Sequence, residues 1–522
     1  MAMSSLSSQL AGLSGQTLPT SRRATDGVGR GIAHSTQQGF SVRASSSKYK
    51  PSVLHDDARA ASDVPLTTLR ENAVSGLNQL ARLTGSAAFV SKDYVGVLAG
   101  TGSVNFERRV ASKADVVQRD KLCGKLLRLL GTVWGEDENG SVISQAKSVS
   151  NLATTVTAFA SGLHVLEYLL RLYEVHLYQP QILLMSVVVA HETPLFNRVL
   201  QLMDLAEMTS FVFLRPFAAP DAEVLPRRRL SKYTAGSDNL VSALCKLARD
   251  VARVHSDEVA ADVSGSHDGG LIHPRMGISR VLSFVAAVLV EALDMQTMSA
   301  SLAGTVKETT LRVLLPFVLG ACCGAESKEE KAGRPSLSAV CPEYRSLGHI
   351  LATTMVTKCP AMSSDVREVI STAIARGAVE LVTALNENGE QGFSLEAVDE
   401  STTSLLTLLS ILSSESSGSS GNMPMLVSVS GDNHIGFEVP PSTFRYLTKL
   451  STIIPVALGE ILEKQKIDVS DMTASFIVRC LQEITPQTDV TEKEMKRTIL
   501  RRDSALSLAI DLVSDPVVYY FL

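Results

Sequence analysis

The sequence is poor in aromatic side chains. Phe, Trp and Tyr make up 5% of its 522 residues, and Trp134 is the single tryptophan. Leu, Val, Ala and Ser dominate instead. Because aromatic residues are enriched in strands and Leu and Ala in helices, this composition favours helices packed on helices over a β-sandwich or a β-barrel. A chain of this length also exceeds what one compact core usually serves.

The chain also lacks an excess of positive charge and any long apolar run. Its formal net charge is −5, so no global basic field steers it onto nucleic acid, and any RNA contact must come from local patches. The longest apolar stretches, Val281–Val290 and Leu311–Leu319, fall well short of the ~18–20 residues that span a bilayer. We interpret both stretches as buried helices, and we expect no membrane contact.

Cysteines do not form a recognisable framework. There are seven, an odd number with irregular spacing and no C-x-x-C pair, which argues for a reducing compartment. Cys341, His349 and Cys359 are the one combination that suggests metal ligands. They share helical stripes with Leu347 and Leu351, so we predict small buried core thiols and no metal site.

Each partial match to a catalytic or cofactor-binding motif lacks at least one required residue. His191-Glu192 lacks the second histidine of a zinc protease, since position 195 is leucine. Gly100-Thr101-Gly102 lacks the third glycine of a dinucleotide loop, and Gly124-Lys125 lacks the upstream glycine of a phosphate loop. We therefore expect neither an enzyme nor a cofactor, and no small-molecule substrate.

The most informative stretch runs from Leu163 to Leu205. Its first third has apolar residues at helical spacing on one face, with Glu167 and Arg171 on the opposite face as an exposed i,i+4 pair. Pro180 can open a second helix that is apolar on every side from Ile182 to Ala190. Thr193 and Pro194 then predict the start of a third helix.

This stretch resembles a known family. The segment "EYLLRLYEVHLYQPQILL" followed by "HETPLFNRVLQLMDL" is similar to the N-terminal region of the U3 small nucleolar RNA-associated protein 10 family, also called HEAT repeat-containing protein 1. Further along, "LRVLLPFVLGAC", "PEYRSLGHILATTMVTKC" and the final "DPVVYYFL" follow the same order as in that family. The family's chains are several times longer, so this chain resembles an N-terminal portion or a truncated gene model.

The resemblance implies an all-α fold, a HEAT-like α-solenoid of stacked helix pairs. It also implies a nucleolar, non-catalytic scaffold of the small-subunit processome that acts in early pre-rRNA processing and 18S rRNA maturation, with a role in ribosomal DNA transcription in the family. The implied partners are β-propeller subunits of the early subcomplex, and the pre-rRNA leader and U3 snoRNP within the particle.

Composition shifts divide the chain into five segments. We expect a mostly disordered head at 1–60, an N-terminal helical stack at 61–215 and a basic, Pro-containing linker at 216–236. The family helical-repeat domain then covers 237–388, and further repeats cover 389–522 with a low-complexity loop at 413–424.

Periodicity predicts the individual helices within these segments. They are Val64–Leu83, Val116–Leu130, Val142–Ala160, Leu240–Val254, Val366–Leu385, Leu395–Leu412, Phe444–Leu462 and Thr473–Ile484, with a polar insertion at Ser256–Gly270 and a short hairpin at Met425–Val439.

Two basic clusters are the candidate RNA- or partner-binding residues. Arg227, Arg228, Arg229 and Lys232 lie in a predicted Pro-bounded loop, where they suit a nuclear-import signal or a phosphate contact. The second cluster forms one helical stripe, which is equally typical of a solvated charged face: Lys493, Lys496, Arg497 and Arg501.

Two alternatives remain open at this stage. The chain could be a generic helical-repeat adaptor or transport protein without RNA association. Alternatively, residues 1–50, which are rich in Ser and Arg, could be an organellar transit peptide. Against the transit peptide, Ser4–Leu13 resembles the short helix with which the family begins.

Overall fold

The computed structural model describes residues 65–84, 86–100, 102–134, 149–219, 222–262, 274–298, 306–324, 336–359, 362–386, 395–413, 439–461, 470–484 and 492–514. All regular secondary structure in these ranges is helical, and none of them contains a strand. The predicted all-α class is therefore confirmed. No helix in the described ranges is both long enough and apolar enough to cross a membrane.

The chain divides into two compact units after Ala292. The helices of the first unit are α1 Leu66–Thr84, α2 Lys92–Ala99, α3 Lys113–Gly131, α4 Val149–Leu172, α5 Val175–Tyr178, α6 Pro180–Val187, α7 Pro194–Gln201, α8 Arg227–Gly236 and α9 Asp238–Asp262. Short 3₁₀ segments lie at Ala87–Val90, Val188–Ala190 and Thr209–Ala218. Helix α10, Pro274–Thr297, contains the boundary between the units.

The helices of the second unit begin after that boundary. They are α11 Glu308–Cys323, α12 Leu337–Val340, α13 Pro342–Lys358, α14 Ser364–Asn386, α15 Leu395–Ser413, α16 Pro441–Leu447, α17 Ile454–Glu460, α18 Ser470–Ile484 and α19 Glu492–Ser514, with a 3₁₀ segment at Thr448–Leu450. The five-segment division expected from the sequence stays a prediction.

The core of the first unit forms where α1 crosses α4 and where α6 packs on α3 and α9. Gly76 permits the first crossing, because a Cβ atom there would lie 2.6 Å from the carbonyl oxygen of Ser161. Pro180 and Pro194 occupy the first turns of α6 and α7, as predicted. Leu183, Leu184 and the following valines are buried, as predicted. Ile182 and Met185 are only half-buried, and the α-helix ends at Val187, so the helix is not buried on every side as its apolar sequence predicted.

In the second unit, α11 packs against α13 and α14, while α14 also packs against α15 and α16. Pro342 opens α13 as expected, and Glu343 lies in its first turn. All seven cysteines are free and buried. Burial raises the pKa of the Cys341 thiol to about 12, so this thiol behaves as a core group, as predicted.

Several predicted boundaries are wrong. The predicted helix over 444–462 is divided into α16, a 3₁₀ turn and α17, because Pro455 starts a new helix at its first turn. Residues 256–262 continue α9 instead of beginning a polar insertion. The described part of the predicted helix Val142–Ala160 is joined to the next one in a single helix, α4.

The Glu167–Arg171 pair is not on an exposed face. Their side chains are 1% and 7% exposed, and their nearest charged atoms are 3.9 Å apart. The reason is that α4 packs against α1, α3 and α5, so its predicted outer flank is covered as well. Amphipathic spacing shows which face is most apolar, but it does not show how many neighbours a helix has.

Some predictions lie outside the described residues. They are the N-terminal head, including Ser4–Leu13, the low-complexity loop after residue 413, and the hairpin at Met425–Val439 except for Val439 itself.

Candidate functional site

The first basic cluster lies on a helix and not in a loop, which corrects the sequence-based prediction. Pro226 precedes α8 in an extended conformation, and the helix begins at Arg227. Leu230, Ser231 and Thr234 face inward and are buried. These residues are three and four positions apart, so they lie on one helical face that packs against the rest of the first unit. This packing stabilises a helix in a short and mostly polar sequence.

The four cations of this cluster divide into one structural residue and three surface residues. The Nη2 atom of Arg227 lies 2.6 Å from Glu291 Oε1, and the Arg227 backbone N–H donates to Glu192 Oε1 at 2.9 Å. Arg228, Arg229 and Lys232 are exposed, and their side chains form no hydrogen bond or ion pair with any described residue. The surface therefore offers three available cations rather than four.

Glu291 is the acceptor that anchors α8. Besides Arg227, its carboxylate accepts a hydrogen bond from Ser231 Oγ, with Oε2 at 2.7 Å. Ser231 is fully buried, and its hydroxyl also lies 3.1 Å from the Arg227 carbonyl oxygen. The bonds to Arg227 and Ser231 fix the first turn of α8, so the exposed cations project from a rigid element.

The His191-Glu192 dipeptide anchors the same helix from the other side. The His191 Nδ1–H donates to the Leu225 carbonyl oxygen at 2.6 Å, and the Leu225 N–H donates to the His191 carbonyl oxygen at 3.2 Å. The His191 ring also packs against Phe284, with centroids 5.4 Å apart. Burial lowers the pKa of His191, which favours the neutral ring. We find that this dipeptide positions α8.

A second arrangement surrounds the end of α4 and was missed by the sequence reasoning. Arg108 pairs with Asp120 through both terminal nitrogens, at 2.9 and 2.5 Å, and its guanidinium lies over the Tyr178 ring. The Tyr173 hydroxyl donates to the Val97 carbonyl oxygen at 2.5 Å, and Gln179 Nε2 donates to the Asp120 carbonyl oxygen at 2.6 Å.

This arrangement explains the "YEVHLYQ" part of the motif physically. Glu174 has a φ of 49°, the left-handed conformation that turns the chain between α4 and α5. That turn brings Tyr173 to Val97 near the end of α2, and Tyr178 to Arg108 in the segment that precedes α3. Burial raises the pKa of Tyr173 above its usual range, so its hydroxyl remains protonated and able to donate. The role of these residues is structural.

A shallow groove of about 250 Å³ lies in the first unit, between α3, α6, the Thr209–Ala218 segment and α9. An ion pair borders it, with Arg128 Nε 2.7 Å from Asp250 Oδ2. Ile182, Met185 and Phe211 are among its apolar lining residues. Arg128 and Asp250 pair with each other, so the remaining charged residue among those that line the groove is the exposed Lys246.

The second basic cluster falls on α19, but the side chains of Lys493, Lys496, Arg497 and Arg501 lie outside the described residues. Its role stays a prediction. The structure does not bring together three or more possible metal-ligating side chains anywhere in the described ranges.

The fold and the site together define an all-α protein with a rigid basic helix on its surface. No family model matches the sequence, and no curated protein is significantly similar to it.

Proposed function

We propose that this chain is a non-catalytic scaffold of the small-subunit processome, acting in early pre-rRNA processing and 18S rRNA maturation, and in ribosomal DNA transcription. The observation that carries the proposal is the motif over Leu163–Leu205, which resembles the U3 small nucleolar RNA-associated protein 10 family. The proposal rests on that resemblance, and three features of the structure and the charge support it.

The first supporting feature is the physical role of the motif. Tyr173, Tyr178 and Gln179 contact the segment of residues 97–120, and His191 and Glu192 position α8. Many residues of the motif thus make separate, specific contacts. The motif therefore encodes a particular packing arrangement, which a merely helix-favouring composition would not.

The second feature is how the helices pack. In the second unit, each helix contacts others that are close in the sequence, such as α14 with α15 and α16, and α15 with α17. Packing between sequential neighbours is typical of stacked helical repeats. We propose a HEAT-like α-solenoid, whose long surfaces suit the assembly of several partners.

The third feature concerns how the chain would be recruited. Only three cations of the α8 cluster are available, on a chain with a net charge of −5. We therefore propose that contacts with β-propeller subunits dominate recruitment. Contacts with the pre-rRNA leader and U3 snoRNP add a weaker, salt-sensitive contribution.

Imaging of the chain with a C-terminal fluorescent tag tests the proposal. We expect foci that coincide with a nucleolar marker, and co-purification of β-propeller processome subunits that survives RNase. Diffuse cytoplasmic signal without those subunits would favour the generic adaptor, and an organellar pattern would favour the transit peptide; either result would overturn the proposal.

A triple variant separates nuclear entry from scaffolding. Replacing Arg228, Arg229 and Lys232 with Ala should reduce nuclear signal but leave co-purification in lysate unchanged. A matched control removes three other exposed cations of the first unit: Arg109→Ala, Lys113→Ala and Lys121→Ala. Loss of β-propeller subunits from the first variant alone would show that α8 binds protein.

A further inference from the structure

Arg198 is a buried arginine with no counter-ion among the described residues. The residue is 8% exposed, and its Nη1 atom is shielded from solvent and has no hydrogen-bond partner in the part of the chain that the structure describes. Its guanidinium forms no ion pair with any described residue. Because burying an unpaired charge is costly, such a group in a native fold points to a missing partner.

Arg345 shows how the same chain treats another buried guanidinium. It is 1% exposed, its Nη1–H donates to the Ser338 carbonyl oxygen at 2.7 Å, and its Nη2 atom lies 2.7 Å from Glu400 Oε2. Arg345 therefore has both a hydrogen-bond acceptor and a carboxylate. Arg198 is buried as well, but no described residue supplies its guanidinium with a hydrogen-bond acceptor or a carboxylate.

The residues beside Arg198 on α7 do have acceptors. Asn197 Nδ2 donates to the carbonyl oxygens of Ala222 and Glu223, at 3.1 and 3.3 Å, and Gln201 Nε2 donates to the Ala219 carbonyl oxygen at 3.3 Å. These bonds tie α7 to the segment that leads to α8. Arg198 lies between these two residues in the sequence and takes no part in that attachment.

We propose that Arg198 binds a single carboxylate from a partner protein, the side chain of an aspartate or a glutamate. Since Nη1 is sealed, the exposed fraction of the residue belongs to its other atoms, and the carboxylate would bind the Nε–Nη2 edge in a bidentate manner. The surface around Arg198 on α7 is thus an attachment point for an acidic protein segment.

The charge at this position favours a carboxylate over the phosphates of RNA. Burial lowers the pKa of Arg198 to about 10, and no charged neighbour contributes to the shift. The side chain is therefore one isolated positive charge, which one carboxylate neutralises. An RNA backbone carries a charge on every nucleotide and is bound by several cations together, an arrangement that α8 provides and α7 does not.

This inference concerns a different surface from the α8 cluster. It stands whether or not the chain acts on pre-rRNA, because it follows from the burial and the partners of one side chain. If the scaffold function is correct, Arg198 gives the chemistry of one of its protein contacts.

The test uses the purified full-length chain and three anions. The thermal unfolding midpoint is measured at pH 7 in sodium acetate, sodium phosphate and sodium chloride at equal ionic strength. We expect acetate to raise the wild-type midpoint by about 1–2 °C over chloride, since it supplies the missing carboxylate. Arg198→Met should lose that increase, and in chloride it should be at least as stable as the wild type.

Controls make each outcome decisive. Arg109→Met, at an exposed arginine, should retain the acetate effect; Arg198→Gln replaces the Met variant if that one does not fold. An equal acetate effect with and without Arg198 would overturn the proposal. A shift that depends on Arg198 but occurs only in phosphate would replace a carboxylate ligand by a phosphate one.

One intrachain alternative is tested directly. Asp221 lies outside the described residues, but it is close in sequence to the carbonyl groups bound by Asn197 and Gln201. Asp221→Asn should leave the wild-type midpoint and the acetate effect unchanged. If it lowers the midpoint in chloride and adds nothing to Arg198→Met, Asp221 is the counter-ion and no partner is required.

Discussion

The guanidinium carbon of Arg108 lies 3.7 Å from the centroid of the Tyr178 ring, while the same side chain grips Asp120 with two nitrogens. A planar guanidinium can stack and form a bidentate pair simultaneously, which an ammonium group cannot. The chain thus uses one arginine to join the segment before α3, α3 itself and the turn after α4.

Arg108→Lys should therefore destabilise the first unit although the charge is kept. We expect a loss of about 1–3 kcal/mol, from a charged hydrogen bond and the stacking contact. Hydrogen exchange of α3 and α5 measures the loss locally. Arg109→Lys, at the exposed neighbouring arginine, is the control and should change nothing; equal protection in both variants would show that the Arg108 contacts contribute little.

Leu184 tests the burial of α6, which the sequence predicts on every side of the helix. The residue is 1% exposed, so Leu184→Asp places a carboxylate in the core at a cost of several kcal/mol. Gln181→Asp introduces the same group at an exposed position of the same helix and should be well tolerated. An unchanged thermal midpoint for Leu184→Asp would mean that α6 is accessible in solution.

Leu184 and Arg108 illustrate which features of the fold can be predicted from the sequence and which cannot. The burial of Leu184 follows from an apolar run behind Pro180, which is a local pattern. The partner of Arg108 is 12 residues away, and the ring it stacks on is 70 residues away, so no local periodicity indicates them. The two bonds from α8 to Glu291 join residues 60 or more positions apart, so no local pattern indicates them either, and the sequence predicts a loop where α8 lies.

His349 should make the second unit sensitive to acid. It is 4% exposed, neither ring nitrogen has a hydrogen-bond partner among the described residues, and burial, reinforced by the positive charge of Arg345, lowers its pKa to about 3. The unfolded chain takes up a proton near the ordinary pKa of about 6.5, whereas the folded chain does not. Stability is therefore unaffected above that pH and falls as the pH decreases from about 6.5 towards 3.

At pH 5 this difference amounts to about 2 kcal/mol, because each pH unit contributes about 1.4 kcal/mol. His349→Leu should remove that part of the pH dependence, which urea denaturation at pH 7 and pH 5 measures. His164→Leu, on the half-buried flank of α4, serves as the control. If wild type and His349→Leu lose the same stability between the two pH values, His349 is not buried as a neutral ring.

The division of the α8 cluster predicts two different phenotypes. Arg227→Ala removes the ion pair with Glu291 and should cost about 1 kcal/mol, a modest value because the pair is partly exposed. The Arg228, Arg229 and Lys232 triple Ala variant removes only surface charge and should stay within about 0.5 kcal/mol of wild type. Thermal unfolding compares them; the reverse order would contradict the anchoring role of Arg227.

The same three cations limit how strongly α8 can bind RNA. Each phosphate contact contributes about 0.7 to the slope of the logarithm of single-strand affinity against the logarithm of salt concentration. Three contacts therefore give a slope of about −2, and the affinity decreases by roughly one order of magnitude between 50 and 200 mM salt.

Filter binding of a pre-rRNA leader fragment by the purified chain measures this slope. The triple Ala variant should reduce the slope to near zero, whereas the Arg109, Lys113 and Lys121 control should retain it. A much steeper slope that persists in the triple variant would place the RNA contacts elsewhere on the chain. Tight binding of the RNA at physiological salt without partner proteins would mean that RNA contacts, and not protein contacts, dominate recruitment.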